Sequence, residues 1–211
     1  MKILITAGPT REYIDPVRFW SNRSSGKMGF AVAETAAVRG HEVTLISGPV
    51  MLGTPPDVTR IDIESADEML EAVKRELPAH DALIMCAAVS DFRPKIRSFH
   101  KLKKSTMPPV IELERNPDIL QQMLPYKGNR VFVGFAAETD NIHVEAERKL
   151  REKGLNLIVA NDVTQSDAGF EVDTNRATLI YPDRDPEQLP LMTKVELGGV
   201  LIDFVEAQSM V

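Results

Sequence analysis

A run of nine small and polar residues could bind a phosphate group. Residues 21–29 read SNRSSGKMG and lead directly into an apolar helical pattern at residues 30–38. Small side chains let a phosphate approach the backbone, where several N–H groups can converge on it, and the helix that follows adds the positive end of its dipole. The run therefore predicts an anion-binding loop at the start of a helix.

This loop matches neither of two common phosphate-binding motifs. A P-loop needs a glycine five positions before Gly26, where Ser21 stands, and a serine or threonine after the lysine, where Met28 stands. A dinucleotide-binding turn needs three glycines, and residues 8–13 (GPTREY) contain only Gly8. The sequence thus predicts a phosphate-binding loop of a less common kind.

Apolar strand patterns alternate with helical patterns along the chain and predict an α/β fold. The strand patterns lie at residues 3–7, 43–47, 83–88, 131–137 and 157–161. This alternation indicates βαβ units and a mostly parallel central sheet, so we expect a Rossmann-like three-layer fold.

Local signals predict where several elements begin and end. Ser65 and Glu68 have the spacing of a capping box, as do Thr193 and Glu196 before a final helix. Residues 169–181 read as a β-hairpin around a polar turn, near the C-terminus. Residues 94–109 interrupt the pattern, and we expect a mobile loop there.

Composition limits the classes of protein that fit. The 211 residues, 43% of them hydrophobic, suit one domain spanning residues 1–211. A net charge of −6 argues against nucleic-acid binding. There is no signal peptide, no membrane-spanning apolar run and no His/Cys spacing typical of zinc, so we expect a cytoplasmic protein. The single Cys86 is expected to be a buried structural thiol.

Polar residues follow four of the predicted strands. They lie at residues 8–12, 90–95, 138–140 and 161–162. Ligands of open parallel sheets bind beyond the carboxyl ends of the strands, so these residues are expected to meet in one crevice. A single cluster of this kind is more often a turn or a helix cap, but four at one edge favour a binding pocket.

Together these segments resemble the phosphopantothenoylcysteine synthetase family, the ligases of coenzyme A biosynthesis. The motifs that carry the resemblance are TAGPTRE (residues 6–12), DPVRF (15–19), SNRSSGKMG (21–29), SGPV (47–50), AAVSDFRP (87–94), KLKK (101–104), NPDIL (116–120), GFAAET (134–139) and ANDV (160–163). The flavin-dependent decarboxylase that is often fused to this domain in bacteria is absent. The resemblance therefore implies a free-standing synthetase or an excised domain.

The resemblance implies a two-step reaction. The carboxylate of 4'-phosphopantothenate is activated by CTP, and the amine of L-cysteine then displaces the nucleotide. By resemblance, Asn22 holds the carboxyl end and the acyl nucleotide, Arg18 acts in turnover of the intermediate, and Lys101 reaches the phosphates when a flap closes. Asp91 would contact the nucleotide and support Mg²⁺, which often takes only one or two protein carboxylates.

The resemblance also implies a larger nucleotide-binding set. The bacterial motif favours CTP over ATP. The residues implied to bind the nucleotide are Gly8, Ser24, Gly26, Lys27, Gly29, Ala87, Ala88, Asp91, Lys101, Pro117, Asp118, Ile119, Leu120, Phe135, Lys149 and Lys153.

Simpler interpretations stay open for several of these residues. Arg18 could form a structural salt bridge, Lys27 could be a solvated residue at a helix start, and Lys149 could pair with Glu145 four positions earlier. Residues 116–118 also read as an N-cap followed by proline.

Alternatives at the level of the whole protein also stay open. The family implies a homodimer and association with a separate decarboxylase, and the edge of the predicted hairpin could pair across a twofold axis. The rival functions are an NAD(P)-dependent oxidoreductase and a non-catalytic nucleotide sensor.

Overall fold

The computed structural model describes residues 1–105, 110–138, 142–162 and 172–208. Its strands, in chain order, are β1 (Lys2–Ala7), β2 (Arg11–Tyr13), β3 (Phe19–Ser21), β4 (Glu42–Ser47), β5 (Val58–Asp62), β6 (Ala82–Met85), β7 (Phe92–Pro94), β8 (Leu113–Arg115), β9 (Val131–Glu138), β10 (Leu157–Asp162), β11 (Thr174–Asn175), β12 (Ala177–Ile180), β13 (Glu187–Gln188) and β14 (Met192–Thr193). Its α-helices are α1 (Lys27–Val38), α2 (Ala66–Glu76), α3 (Ile119–Met123), α4 (Ile142–Glu152) and α5 (Lys194–Gln208).

Eight strands form the central sheet, in the order β13-β12-β10-β9-β6-β1-β4-β5. The six strands from β10 to β5 are parallel, which confirms the predicted α/β fold with a mostly parallel sheet. The chain moves outward from β1 to β4 and β5, then returns to the other side of β1 with β6. The point between β1 and β6 is therefore the topological switch point at which open α/β sheets bind ligands.

Helices cover both faces of this sheet and give the predicted three layers. Helices α1 and α5 pack on one face against alternate strand residues such as Ile3 and Ile5. Helices α2, α3 and α4 pack on the other face, against residues such as Leu4 and Phe132. Both faces of the parallel strands are buried, so their sequences are nearly continuous apolar runs.

The predicted helix starts of α2 and α5 are confirmed. The Ser65 hydroxyl accepts the N–H of Glu68 at 3.2 Å while the Glu68 carboxylate accepts the N–H of Ser65, so α2 begins with a capping box. At α5, the N–H of Glu196 donates to the Thr193 hydroxyl at 3.2 Å, and the Glu196 carboxylate accepts the N–H of Thr193 at 2.7 Å. Each box satisfies backbone groups that a helix end leaves unpaired.

Two strands differ from the sequence prediction. The run at residues 83–88 leaves the sheet after Met85, because the N–H of Ala88 instead donates to the carbonyl of Gly8 at 2.9 Å. Strand β5 was not predicted, since at the sheet edge its sequence VTRID is only partly buried and carries few apolar residues.

A hairpin near the C-terminus is confirmed, but it is formed by β12 and β13, so its turn lies after Ile180 and not at the predicted residues 173–175. Strand β12 pairs with β10 on one side and with β13 on the other. Residues 169–171, in the predicted first arm, lie outside the described residues. The predicted polar turn contains the short strand β11, which pairs with β14.

Two short antiparallel pairs lie outside the central sheet. The connection from β1 to α1 carries β2 and β3, and the connection from β6 to α3 carries β7 and β8. We call these four strands the arm. The predicted mobile loop begins in β7, and its residues 106–109 lie outside the described residues. None of the described helices is long and apolar enough to cross a lipid bilayer.

Candidate active site

A cleft of about 440 Å³ opens at the switch point of the sheet. Its walls are the loop that precedes α1, the segment that follows β6, and the start of α3. The lining also includes residues from β8, β9, β10, β11 and α4, and from the start of α5. Two of the four polar clusters that were predicted to follow strands contribute lining residues, Ser90 and Asp91 from one and Asn161 from the other. None of residues 8–12 lines the cleft.

The loop before α1 has the geometry of an anion-binding site. Gly26 is the N-cap of α1 with φ +80°, and no side chain caps this end of the helix. The first turn of α1 carries no acidic residue. The first N–H groups of the helix and the positive end of its dipole are therefore presented at the cleft.

Gly29 lets α1 come unusually close to β1. A Cβ atom at this position would lie 2.6 Å from the Cβ of Ala7 and 2.8 Å from the carbonyl oxygen of Thr6. Any larger residue would push the helix start away from the strand end. Gly29 therefore positions the anion-binding loop over the sheet.

Asn22 is held against the turn that follows β6. Its Nδ2 donates to the carbonyl of Ala88 at 3.0 Å. Ala88 in turn donates its N–H to Gly8 at 2.9 Å, so the ends of β1 and β6 and the Asn22 amide form one connected unit. The structure thus brings Asn22, Ala87 and Ala88 together at the cleft.

The cleft is cationic although the whole chain is acidic. Five cationic side chains line it against two carboxylates, those of Asp91 and Asp118, in a chain of net charge −6. Lys153 forms an ion pair with Asp118 at 2.9 Å, which joins α4 to the start of α3. The cations are Lys27, Arg115, Lys149, Lys153 and Lys194. This excess of positive charge favours a polyanionic ligand.

Lys194 is a cleft residue that the sequence analysis missed. It is 5% exposed, and its ammonium donates to the carbonyls of Val172 and Thr174. Burial lowers its pKa, with a further contribution from the charge of Lys27. In the sequence, Lys194 directly follows the N-cap Thr193 and looks like an ordinary first residue of a helix. The packing of α5 against α1 brings it to the cleft.

Buried polar atoms without a hydrogen-bond partner are concentrated in the cleft wall. Among the described residues there are four such side-chain atoms, and all four belong to cleft residues: Ser90 Oγ, Asn116 Oδ1, Asn161 Oδ1 and Asn175 Oδ1. Buried polar groups are nearly always hydrogen-bonded, so such a concentration is typical of a binding site. Two of these residues, Ser90 and Asn161, lie in segments that were predicted to follow strands at the crevice. Asn116 and Asn175 were not predicted there.

Most of the residues implied by the resemblance meet in this cleft. The lining contains Asn22, Ser24, Gly26, Lys27, Gly29, Ala87, Ala88, Asp91, Pro117, Asp118, Ile119, Leu120, Phe135, Lys149 and Lys153. Gly8 is not in the lining. It lies behind Gly26, where a Cβ on Gly26 would be 3.5 Å from the Gly8 Cα atom.

Arg18 and Lys101 also lie outside the cleft lining. Arg18 forms an ion pair with Asp15 at 2.6 Å, and its Nη2 also donates to the carbonyl of Leu102 at 2.7 Å. Lys101 is exposed on the loop that this contact holds. The structure thus bears out the salt bridge considered for Arg18, and neither Arg18 nor Lys101 is among the residues that line the cleft.

Two of the simpler interpretations need correction. The N-cap of α3 is Asp118, whose side chain accepts the N–H of Gln121 at 3.1 Å, whereas Asn116 donates its Nδ2 to the carbonyl of Ser90. Glu145 pairs with Arg148, three residues later, at 2.8 Å. A guanidinium three positions away reaches that carboxylate, and Lys149 lines the cleft instead.

Cys86 lines the cleft as a half-buried free thiol. Burial raises its pKa, so it stays protonated at neutral pH. This agrees with a structural role.

The strand order, with an anion-binding loop at the switch point, is typical of the class of Rossmann-like nucleotide-binding domains. Within this class the chain belongs to one family. The family model of the DNA/pantothenate metabolism flavoprotein C-terminal domain matches residues 1–208.

Known proteins agree with this assignment. The chain is 46% identical over 208 residues to the coenzyme A biosynthesis bifunctional protein CoaBC of Bacillus subtilis, covering 98% of this chain and 51% of that protein. It thus spans about half the length of the curated relatives it matches. The crystal structure of the C-terminal domain of a CoaBC protein superposes with a TM-score of 0.83 at 45% identity, covering 99% of this chain and 94% of that one.

A more distant structure shares the fold. A Cab2 mutant in complex with phosphopantothenate-cysteine superposes with a TM-score of 0.82 at 16% identity, covering 99% of this chain and 87% of that one.

Proposed function

We propose that this chain is a ligase of coenzyme A biosynthesis that joins 4'-phosphopantothenate to L-cysteine, with CTP as the activating nucleotide. The observation that carries the proposal is the cationic cleft at the switch point, in which fifteen residues implied by the resemblance meet. Membership of the pantothenate-metabolism family supports it.

In the first step the pantothenate carboxylate attacks the α-phosphorus of CTP, and pyrophosphate leaves. Two anions must approach each other, so fixed donors and cations contribute more than a protein nucleophile would. The helix start at Gly26 and the ammonium groups of Lys27 and Lys194 are suited to the phosphates. Asn22, fixed to the carbonyl of Ala88, is suited to holding the carboxyl end.

In the second step the amine of L-cysteine attacks the acyl carbonyl, the amide forms, and CMP leaves with the electrons of the broken acyl–phosphate bond. Asn22 provides both a donor and an acceptor in one planar group, and can hold the acyl nucleotide through this step. Lys101 would approach the phosphates from its loop outside the cleft. A flexible side chain with a point charge is suited to that movement.

A magnesium ion fits the cleft as a partner of the phosphates. Asp91 is a cleft carboxylate, and no group of three His, Cys, Asp or Glu side chains suited to a metal is found among the described residues. Mg²⁺ commonly binds through one or two carboxylates and substrate phosphates, so this donor set fits it. When bound, the ion would neutralise phosphate charge.

We assign the cytidine end of the nucleotide to the α3 side of the cleft. Residues 117–120 form one wall there and Phe135 another, and the Lys153–Asp118 ion pair ties the first wall to the residue that follows α4. The choice of base depends on backbone contacts in this wall, and the NPDIL motif favours cytosine, the base of CTP.

Pyrophosphate release tests the proposal directly. The purified chain is incubated with Mg²⁺, 4'-phosphopantothenate and either CTP or ATP, with and without L-cysteine. We expect cysteine-dependent amide product with CTP, and loss of product in Asn22→Ala and Lys101→Ala. Equal rates with ATP would remove the CTP assignment and leave the chemistry intact.

The same assay separates the rival functions. A nucleotide sensor would bind CTP without releasing pyrophosphate, and Asn22→Ala would leave its binding unchanged. An NAD(P)-dependent oxidoreductase is disfavoured, because a nineteen-residue connection that carries β2 and β3 replaces the tight three-glycine turn after β1.

The proposal extends to the assembly of the protein. We propose a homodimer formed through the arm, because exposed apolar side chains cluster on it, including Phe19, Trp20, Phe92 and Leu113. Association with a flavin-dependent decarboxylase is proposed from the bifunctional relatives. We also propose a single domain over residues 1–211, since one sheet borders both apolar clusters, and a cytoplasmic location, which suits a free thiol.

A further inference from the structure

The loop that carries Lys101 is tied at two points to the turn before β3. The N–H of Ser98 donates to the carbonyl of Ile14 at 2.9 Å. Four residues later, both backbone groups of Leu102 are held: its N–H donates to Asp15 Oδ2 at 3.1 Å, and its carbonyl accepts from Arg18 Nη2 at 2.7 Å. Lys101 therefore projects from backbone that is hydrogen-bonded on both sides of it, so this part of the predicted mobile loop is tied to the turn before β3.

Asp15 is the centre of this attachment. Its side chain is 0% exposed, and Oδ1 accepts the N–H groups of Val17 at 2.8 Å and Arg18 at 2.9 Å. Oδ2 accepts from Arg18 Nε at 3.1 Å and Nη2 at 2.6 Å, as well as from Leu102. A buried carboxylate with five donors is held in one position, because each N–H group restricts it from a different direction.

This arrangement limits how Lys101 can move. The Cα atoms of Lys101 and Leu102 are about 3.8 Å apart across a trans peptide, so fixing Leu102 also fixes where the Lys101 side chain starts. The remaining freedom lies in the four-carbon side chain. Since a misplacement of about 1 Å can cost a hundredfold in rate, a fixed starting point has a direct kinetic value.

We propose that Asp15 is a positioning residue for Lys101, acting through Arg18 and the backbone of Leu102. The inference rests on the proposed function, which gives Lys101 its phosphate contact. It assigns Asp15 a part in turnover that neither the resemblance nor the cleft lining assigns to it. It also gives Arg18 a role in this chain as the link between Asp15 and the loop.

The test compares two buried carboxylates of the same region. Asp15→Asn keeps the shape of the side chain but removes the charge that holds Arg18 and one acceptor oxygen. The matched control is Glu12→Gln: Glu12 is 5% exposed on β2 and accepts the N–H of Ala66 at 3.0 Å, and within the described part of the chain it forms no hydrogen bond with residues 98–102. Both variants are assayed for kcat, KM for CTP and the dissociation constant of CTP, and hydrogen exchange is followed in residues 98–102.

We expect Asp15→Asn to lower kcat by about tenfold to a hundredfold while CTP binding changes by less than about threefold. Residues 98–102 should exchange faster, and Glu12→Gln should keep both kcat and the exchange rates of the wild type. If Asp15→Asn does not fold, Asp15→Glu, which keeps the charge and displaces it, is assayed with the same expectations.

The outcomes separate this inference from the proposed function. The wild type could turn over, Lys101→Ala could be inactive, and Asp15→Asn could keep a normal kcat. That result would overturn the positioning role and leave the ligase proposal intact. Equal kcat losses in Asp15→Asn and Glu12→Gln would also overturn it, since the effect would then be general destabilisation. No cysteine-dependent turnover by folded wild-type protein would reject the ligase itself, and the role of Asp15 with it.

Discussion

At the residue scale, Gly29 shows how one missing side chain positions a binding loop. The backbone of α1 passes so close to β1 that a Cβ at this residue would contact Ala7 and Thr6 at less than 3 Å. The contact atoms are backbone and a fixed Cβ, which cannot move aside as the end of a flexible side chain could.

We therefore expect Gly29→Ala to lower the free energy of unfolding by about 1–3 kcal/mol and to weaken CTP binding. Urea unfolding and calorimetric titration with CTP would measure the two effects. Gly53→Ala is the control, because a Cβ there meets nothing within 4 Å. A variant at Gly29 as stable as the control would show that the helix can shift without cost.

Asp15 gives a pH-dependent prediction at the same scale. Burial acts to raise the pKa of Asp15, but the Arg18 guanidinium and the N–H groups of Val17, Leu102 and Arg18 outweigh it and hold that pKa well below the ordinary 3.8. A carboxyl whose folded pKa is lowered stabilises the protein above the unfolded pKa, and this stabilisation is lost as the pH falls toward the folded pKa.

Asp15→Asn has no carboxyl at this position to titrate, and it never forms the ion pair with Arg18. The difference in unfolding free energy between the wild type and this variant should therefore be constant above about pH 5. It should shrink below about pH 4, where the wild type loses this stabilisation. Urea unfolding of both proteins between pH 3 and pH 7 checks this. A difference that stays constant to pH 3 would contradict the assigned charge state of Asp15.

At the scale of the elements, two helix starts place cations at the same cleft. Lys27 begins α1 and Lys194 begins α5, although a cation at the N-terminus of a helix opposes the helix dipole. Asp173 offsets part of this charge through an ion pair with Lys27 at 2.6 Å. Such an arrangement is favourable when an anion is bound between the two helix starts.

We expect Lys194→Met to weaken CTP binding about tenfold, since one charge-assisted contact contributes roughly 1.5 kcal/mol. Methionine is unbranched and only one atom shorter than lysine, and it removes the charge. Lys2→Met is the matched control, because Lys2 lies on the surface in an ion pair with Glu42. Calorimetric titration would decide the matter, and unchanged affinity in Lys194→Met would remove Lys194 from the phosphate site.

At the scale of the whole molecule, the arm is the surface that we propose for the dimer interface. Trp20 is 55% exposed and Phe19 is 42% exposed on β3, and Phe92 and Leu113 are similarly exposed on β7 and β8. Apolar side chains gathered in this way on a surface mark an interaction site. The sequence pointed to the edge of the hairpin at residues 169–181 for this role, and the exposed apolar side chains of β3, β7 and β8 favour the arm instead.

We predict that Trp20→Asp shifts the protein from dimer to monomer, because a carboxylate would have to be desolvated in an apolar interface. Analytical ultracentrifugation over a range of concentrations measures this. Val38→Asp is the control: Val38 is 83% exposed at the end of α1, outside the arm. A wild type that sediments as a monomer at every concentration would reject the dimer.

The fold was largely predictable because its signals are local. Continuous apolar runs of β1, β4, β9 and β10 follow from burial on both faces of a parallel sheet, and the capping box of α2 requires only two residues three positions apart. Strand β5 and the early end of β6 were not predictable. Both depend on which backbone partners a segment meets across the sheet.

The sequence by itself predicted the anion-binding chemistry of the loop at residues 21–29, because small residues before a helix leave its first N–H groups accessible wherever the chain folds. Tertiary structure alone decided that Lys194 and Asn175 reach the cleft, since their contacts to α1 span well over a hundred residues of chain. It also decided that Arg18 binds Asp15 and Leu102 outside the cleft. Long-range contacts of this kind have no local signal, because they depend on how the helices and the arm pack around the sheet.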